Sequence, residues 1–447
     1  MKTIFITSFH GHISRNILHS DFLGFLEREG FKIVILVPDY KKKYFKGNFS
    51  GQNIIIEGIK PYQSSKTRLG LFFKNTAIYF LDSDTTRIKR KLKRRQGKFF
   101  HYFFYSAATF IGKLNIVRNI FRRLDYALCP KDFFDELIFR YKPSVIFSTD
   151  IQNENDVALA QDARKLKIPV LGMVRSWDNL SQRIFRVIPD KLLVGAETIK
   201  DEALELHGFP ENKISIVGYP YYDRYVKGAP IHSKKDFFNK FRLDLQKKLI
   251  LFAPIGDPTT IRKDIDQYVI GLLGKADAQV LVRLPTNLTV DLNNFAVSPN
   301  VVLDRPGQVF KRDQTDTGFL DNEISRADDD RLIDSIYWSD LVVAGPTSII
   351  LDAVLFDKPV VAVNFYPTKR HFLDGIYHYQ YHHLKEILRT GGVHLSESED
   401  DFFSATKEYL ANPSKDKEAR SVIRSKWLSH VDGKSSERIV GEIIEIF

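Results

Sequence analysis

Along the chain, runs of Val, Ile, Leu and Phe four to seven residues long alternate with segments in which apolar residues recur at helical spacing. Continuous apolar runs mark strands covered on both faces, so the pattern is that of a mostly parallel sheet with helices on either side. It predicts strands at 3–7, 32–37, 54–57, 145–148, 170–174, 191–194 and 214–217. A second series follows at 249–253, 280–284, 301–303, 341–344 and 360–364. Two α/β units are therefore expected, with a polar, lysine-rich linker within 223–246. The final stretch, 421–447, keeps a helical period interrupted at Gly433, which lets it leave the second unit and pack back on the first. The expected division is 1–235, 236–425 and a returning helix at 426–447.

In open α/β sheets, ligands bind beyond the carboxyl ends of the strands, where helix N-termini offer free amides and a favourable dipole for anions. Two such domains facing each other would form an interdomain cleft, suited to a phosphorylated donor on one wall and an acceptor on the other. Residues just past the strands are thus the site candidates.

After the first strand comes Ser8-Phe9-His10-Gly11-His12, leading into a predicted helix at 17–29. Either His10 or His12 can serve as a general base near neutral pH, while a Gly turn with Ser14 capping the helix is the structural alternative. Past the strand at 170–174 lies Arg175-Ser176-Trp177-Asp178-Asn179, which combines a cation, a stacking surface and a carboxylate. Arg175 is a candidate donor ligand and Asp178 a second candidate base; the alternative is a structural Trp with Asp178 as a cap.

In the second unit, Gly256 and Thr259 fall in a loop of small and hydroxylated residues able to turn backbone amides toward phosphate oxygens. Gly345-Pro346-Thr347-Ser348 follows the strand at 341–344 and opens a helix, which places its hydroxyls where a diphosphate is favoured; simple capping is the competing role. Arg283 and Arg305 sit at the ends of two neighbouring strands and can neutralise phosphate, and Asp352, one turn into the helix, can approach a ribose hydroxyl. His371, His378, His382 and His383 lack an HExxH glutamate, so an aromatic-rich loop is expected there and no metal site.

Composition narrows the class. At 447 residues, with 43% apolar and 27% charged residues, the chain belongs with ordinary globular proteins of two or three domains. Cys129 is the only cysteine, which excludes an intrachain disulfide and any Cys-based metal cluster and fits a reducing compartment. The N-terminus reads as a buried strand without the features of a signal peptide, and no apolar stretch is long enough to span a bilayer as a helix.

The net charge of +11 is concentrated: residues 62–125 hold 15 Lys/Arg against 3 Asp, a balance of 15 − 3 = +12, so the remainder is near neutral. Charge confined to one insert argues against a nucleic-acid reader. Within it, Arg87, Arg90, Lys91, Arg94, Arg95 and Lys98 recur at helical spacing, followed at once by an aromatic run from Phe99 to Tyr105. An anionic membrane surface is the expected partner; a solvated basic helix covering an aromatic core is the alternative.

Three segments carry a family resemblance: ISIVGYPYYD at 214–223, KKLILFAP at 247–254 and SDLVVAGPTSIILDAVLFDKPVVAV at 339–363. Here the chain resembles the nucleotide-binding half of the GT-B superfamily, particularly the branch containing CDP-glycerol glycerophosphotransferases and bacterial surface-polysaccharide glycosyltransferases. UDP-N-acetylglucosamine 2-epimerases are more loosely similar over the same segments. The SFHGH loop is similar to the Gly/His loop of many GT-B transferases, where such a histidine acts as base.

The resemblance implies two Rossmann-like domains and a metal-independent, inverting transfer from a nucleotide-activated sugar, the donor being substrate and no cofactor being needed. The implied acceptor is a surface-glycan precursor, lipid-linked or free, at the cytoplasmic face of the cell membrane. Glycerophosphotransferases carry a Lys-x-His-Pro-like element where this chain has Arg283-Leu284-Pro285, so sugar transfer is expected ahead of CDP-polyol phosphate transfer. A catalytically silent, membrane-docked scaffold is the third reading.

Overall fold

The computed structural model describes residues 1–60, 62, 67–129, 132–256, 265–293, 295–311, 321–368 and 371–447. The chain divides into two compact units, Met1–Asp223 with Ser429–Phe447, and Arg224–Leu428.

The first unit is built on β1 (Thr3–Thr7), β2 (Lys32–Pro38), β3 (Ile54–Ile59), β4 (Val145–Ser148), β5 (Val170–Met173), β6 (Lys191–Val194) and β7 (Ile214–Ile216). They pair in parallel in the order β3-β2-β1-β4-β5-β6-β7. The order reverses between β1 and β4, which opens a crevice at their carboxyl ends. β1, β4 and β5 are buried throughout, as strands sandwiched between helix layers must be. Ile439, Val440 and Ile443 of the returning helix Ser435–Ile444 join Phe22, Leu26, Ile33 and Ile35 in its core.

The second unit repeats the plan. Its strands are β8 (Leu249–Ala253), β9 (Gln279–Arg283), β10 (Val301–Asp304), β11 (Gln308–Lys311), β12 (Asp321–Glu323), β13 (Leu341–Ala344), β14 (Val360–Val363) and β15 (His394–Ser396). The main sheet runs β10-β9-β8-β13-β14-β15, all parallel, while β11 and β12 form a separate antiparallel pair. Its reversal point lies between β8 and β13.

The sequence expectation lacks β11, β12 and the edge strand β15, and it also differs at the unit boundary and in the first helix. The boundary falls after Asp223 instead of at 235, because the Asp223 carboxylate accepts hydrogen bonds from the Ser435 and Ser436 amides of the returning helix (3.0 Å each). The next residue, Arg224, is tied into the second unit by ion pairs to Asp329 (2.7 Å) and Asp330. The predicted helix at 17–29 is broken in two, a π-helical turn at Ser14–Leu18 and a helix at Phe22–Arg28. Ser20 makes the break, donating to the Ile17 carbonyl (2.6 Å) and accepting from the Phe22 amide.

Between β3 and β4 the described residues of the basic insert fold into the helices Arg68–Tyr79, Asp84–Arg95, Phe99–Gly112 and Asn115–Leu128, and a further helix, Asp135–Tyr141, leads into β4. Phe73, Ala77, Phe80, Ala108 and Phe121 form the insert's own small core, with Ile184 from the parent unit. The attachment is polar and deep. Arg186, 5% exposed, forks onto both carboxylate oxygens of the wholly buried Asp125 (2.8 and 2.9 Å) and reaches Glu154 (2.6 Å).

Candidate active site

In the first unit the loop after β1 is held from below. Thr7 donates to the buried Asp156 carboxylate (2.5 Å) and binds Thr149 of the β4 end, while Ser148 reaches the same carboxylate (2.7 Å). Burial, then the nearby Asp150, pushes Asp156 up to about 7. On this platform His10 and His12 stand with ring centroids 5.1 Å apart.

The two imidazoles differ in one decisive respect. The His12 amide donates to Nδ1 of His10 (3.2 Å), so neutral His10 carries its proton on Nε2 and has no lone pair left to offer there. His12 Nε2 is buried and has no hydrogen-bond partner among the described residues. In the tautomer that carries its proton on Nδ1, Nε2 presents a free lone pair. Burial, followed by Arg175 and Arg15, lowers His12 to about 3; burial, Arg175 and His12 itself hold His10 well below the ordinary imidazole range. Both rings are neutral at physiological pH. Asp178 is the one neighbour that opposes this at His12, favouring the imidazolium.

Arg175 is paired with Asp150 (2.6 Å), and Arg15 lies over the Tyr221 ring at 4.7 Å. Asp178 accepts from Gln182 (2.8 Å), whose amide oxygen accepts from Lys89 (3.2 Å). Lys89, pushed down to about 8 by burial and then by Arg183, belongs to the insert helix Asp84–Arg95. Thus His10, His12, Arg175 and Asp178 do gather at one sheet edge, joined by Lys89, Arg15 and Asp150, which sequence reasoning had not singled out. Lys89 was hidden by the charge run around it; only its inward direction distinguishes it.

The donor candidates of the second unit separate. Gly256 takes a positive φ of 78°, and an added Cβ would stand 2.8 Å from Leu288, so glycine is required. Its amide is not free for phosphate: Asp266 accepts from the Ile255 and Gly256 amides at 2.8 Å each. Thr259 lies outside the described residues. Arg283 is buried, bound by Asp304 and donating to the Asp328 carbonyl (2.7 Å), so its charge is compensated internally. Asp352 is buried within the helix Ile349–Leu355 and does not face solvent as a ribose ligand would. Arg305 is exposed at the end of β10.

Gly345, Pro346, Thr347 and Ser348 follow β13 at the reversal point. The Gly345 amide donates to the Ala253 carbonyl of β8 (3.2 Å), and a Cβ there would lie 2.4 Å from the Ile255 side chain. Glycine therefore lets the two loops touch. Ser348 makes no side-chain cap to the helix, so the capping alternative does not hold for it. On the same edge, beyond β14, Tyr377 stacks on His378 at 4.3 Å within an aromatic loop. Among the described residues no group of three or more His, Cys, Asp or Glu is arranged to hold a metal.

The model of the CDP-glycerol:poly(glycerophosphate) glycerophosphotransferase family matches residues 170–445, well over half of the chain. The chain belongs to this family. The match includes Arg175, Asp178 and the whole second unit, but stops short of the histidine loop and the insert. Solved structures align over the full length. A protein described as a UDP-N-acetylglucosamine 2-epimerase, from Listeria monocytogenes, is 12% identical with a TM-score of 0.57, covering 100% of this chain and 97% of its own. The Neisseria meningitidis UDP-GlcNAc 2-epimerase, solved with UDP-GlcNAc bound, is 13% identical with a TM-score of 0.55 and 100% of both chains covered. A glycosyltransferase from Rickettsia africae is 11% identical with a TM-score of 0.51, covering 99% and 98%. At such identities the likeness establishes the fold: this family member has the GT-B fold of two Rossmann-like domains. No curated protein matches the chain significantly.

Proposed function

We propose that this transferase moves a sugar from a nucleotide-activated donor to a hydroxyl of a surface-glycan precursor, with His12 as the general base. The observation that carries the reading is the neutral, sequestered His12 imidazole with a free Nε2, set beside a carboxylate that favours its protonation. The acceptor oxygen forms a bond to the anomeric carbon as the bond from that carbon to the donor phosphate breaks. The electron pair leaves with the nucleotide, and the hydroxyl proton passes to Nε2 of His12. Asp178 stabilises the resulting imidazolium, Arg175 holds the cationic surroundings, and Thr347, Ser348 and Arg305 are the donor-phosphate ligands that remain available. The chain's own groups take the leaving-group charge, without a metal.

Family membership favours a second reading, transfer of a polyol phosphate from a CDP-linked donor. The same base would then serve an attack at phosphorus, with CMP leaving. Incubation of the purified protein with UDP-, GDP- and CDP-sugars and with CDP-glycerol, followed by mass spectrometry, separates the two. The proposal predicts release of a nucleoside diphosphate from a nucleotide sugar. Consumption of CDP-glycerol alone, with CMP released, overturns it in favour of the second reading.

A further inference from the structure

We infer that a cationic cavity at the amino-terminal edge of the first unit's sheet binds a small soluble ligand carrying two or more phosphate groups. This goes beyond the transfer reaction and does not depend on which donor is used.

The cavity, of about 640 Å³, is walled by the insert helix Asn115–Leu128 and by the segments that lead into three strands. Pro169, Asp190 and Lys213 line it, and they directly precede β5, β6 and β7. Those strands are parallel, so the cavity opens at their amino ends. His12 and Arg175 stand past the carboxyl ends of β1 and β5, on the opposite edge of the sheet. The volume is that of a small-molecule site, and a ligand there would not compete with the donor.

Charge selects the ligand. Among the described residues five cations line the cavity, Arg122, Arg123, Arg164, Lys167 and Lys213, against a single acid, Asp190, a balance of 5 − 1 = +4. That acid is already engaged, since its carboxylate accepts from the Val170 amide (2.9 Å) and ties the starts of β5 and β6 together. None of the five cations is in an ion pair among the described residues. By contrast Lys165, on the helix that carries Arg164, is paired with Asp135 (2.8 Å), and Glu211, two residues before Lys213, is taken by Lys200 (2.8 Å). Like charges gathered without a counter-charge repel one another, and a bound polyanion removes that cost.

Arg122 carries the argument furthest. Its Nε donates to the Phe185 carbonyl (2.9 Å) and its Nη1 to Asn119 (3.0 Å), which holds the guanidinium in place. Nη2 is buried with no hydrogen-bond partner among the described residues, and a buried donor left unmet is costly. Burial, then Arg118, lowers Arg122 to about 10, so its surroundings disfavour the cation until an anion joins it. Arg164 lies over the Tyr126 ring at 5.3 Å, which sets a second guanidinium against the insert helix. Guanidinium and ammonium groups hold phosphate oxygens by charge-assisted hydrogen bonds, and a charge of +4 suits a di- or triphosphate better than a single phosphate. Ile168, Val187 and Ile188 form an apolar wall with room for an organic body on the phosphates.

The test is calorimetric titration of the full-length protein with inorganic tripolyphosphate. Wild type should bind it saturably and lose affinity as salt is added. Arg123, Lys167 and Lys213 are exposed, so Arg123→Gln/Lys167→Gln/Lys213→Gln should keep the wild-type unfolding temperature. With roughly ten-fold lost per charged contact, this variant should bind on the order of 10³-fold more weakly. Lys91→Gln/Arg94→Gln/Lys98→Gln removes the same charge from exposed positions of the basic run and should bind like wild type, as should Thr347→Ala/Ser348→Ala in the donor loop. Absence of saturable binding by wild type overturns the inference. So does an equal loss in the Lys91 variant, which would make the attraction one of net charge alone. A loss in the Thr347 variant overturns it too, by placing the probe in the donor loop, and leaves the transfer reading standing. Binding to phosphatidic acid vesicles that the Arg123 variant abolishes, with none to tripolyphosphate, would make a lipid headgroup the occupant and also overturn it.

Discussion

An ordinary histidine, with a pKa near about 6.5, is only about 3% neutral at pH 5, and a reaction that needs its lone pair slows roughly thirty-fold there. His12 is lowered to about 3 by burial and by Arg175 and Arg15. At pH 5 it is still about 99% neutral. A lowered pKa favours the unprotonated form, so the active species persists as pH falls and is lost only near the depressed value. The pH profile of kcat/KM, which reports the free enzyme, should therefore be flat from about pH 5 to 8 where an ordinary histidine would impose an acid limb. Arg175→Gln removes the largest charge contribution to the lowering, so it should raise the pKa and move an acid limb up toward this window. The assay is initial-rate turnover at sub-saturating donor in constant-ionic-strength buffers. A wild-type limb with a midpoint between about 6 and 7 that His12→Ala abolishes would refute the electrostatic reasoning.

Three other outcomes are expected. Replacing Thr347 and Ser348 together with alanine should weaken nucleotide binding by about 1–3 kcal/mol, the scale of one or two hydrogen bonds to a charged group, and calorimetry checks it. Arg186→Met leaves Asp125 buried without its guanidinium and should cost about 3–5 kcal/mol, lowering the melting temperature by roughly 6–20 °C by calorimetry. Chelators should leave the rate unchanged; a loss in EDTA that Mg²⁺ or Mn²⁺ restores would contradict the metal-free mechanism.

Both sheets except the edge strand β15 were legible because buried parallel strands leave continuous apolar runs, and the SFHGH and GPTS loops could be placed by standing immediately after such runs. What stayed hidden depended on partners far along the chain or on direction. The β11–β12 pair is only four and three residues long, too short for a periodicity to read. Asp266 takes the Gly256 amide from 10 residues further along the chain, and Arg283 is neutralised by Asp304 on the next strand; neither pairing has a local signal. The insert gives the plainest case. Helical spacing in 115–128 reveals an apolar stripe, yet spacing alone does not say whether the stripe faces a core or the outside. Here the buried Arg118 and Asp125 decide it.

The preference for His12 over His10 likewise rests on one backbone hydrogen bond, which no motif encodes. Comparing the two alanine variants therefore tests the central claim most directly, with donor affinity measured by calorimetry and turnover measured on the same preparations. His12→Ala should bind donor like wild type and turn over roughly 10²- to 10⁴-fold more slowly, the range for loss of a general base, while His10→Ala loses much less. Wild-type turnover in His12→Ala, or a loss explained entirely by weaker donor binding, would contradict the account.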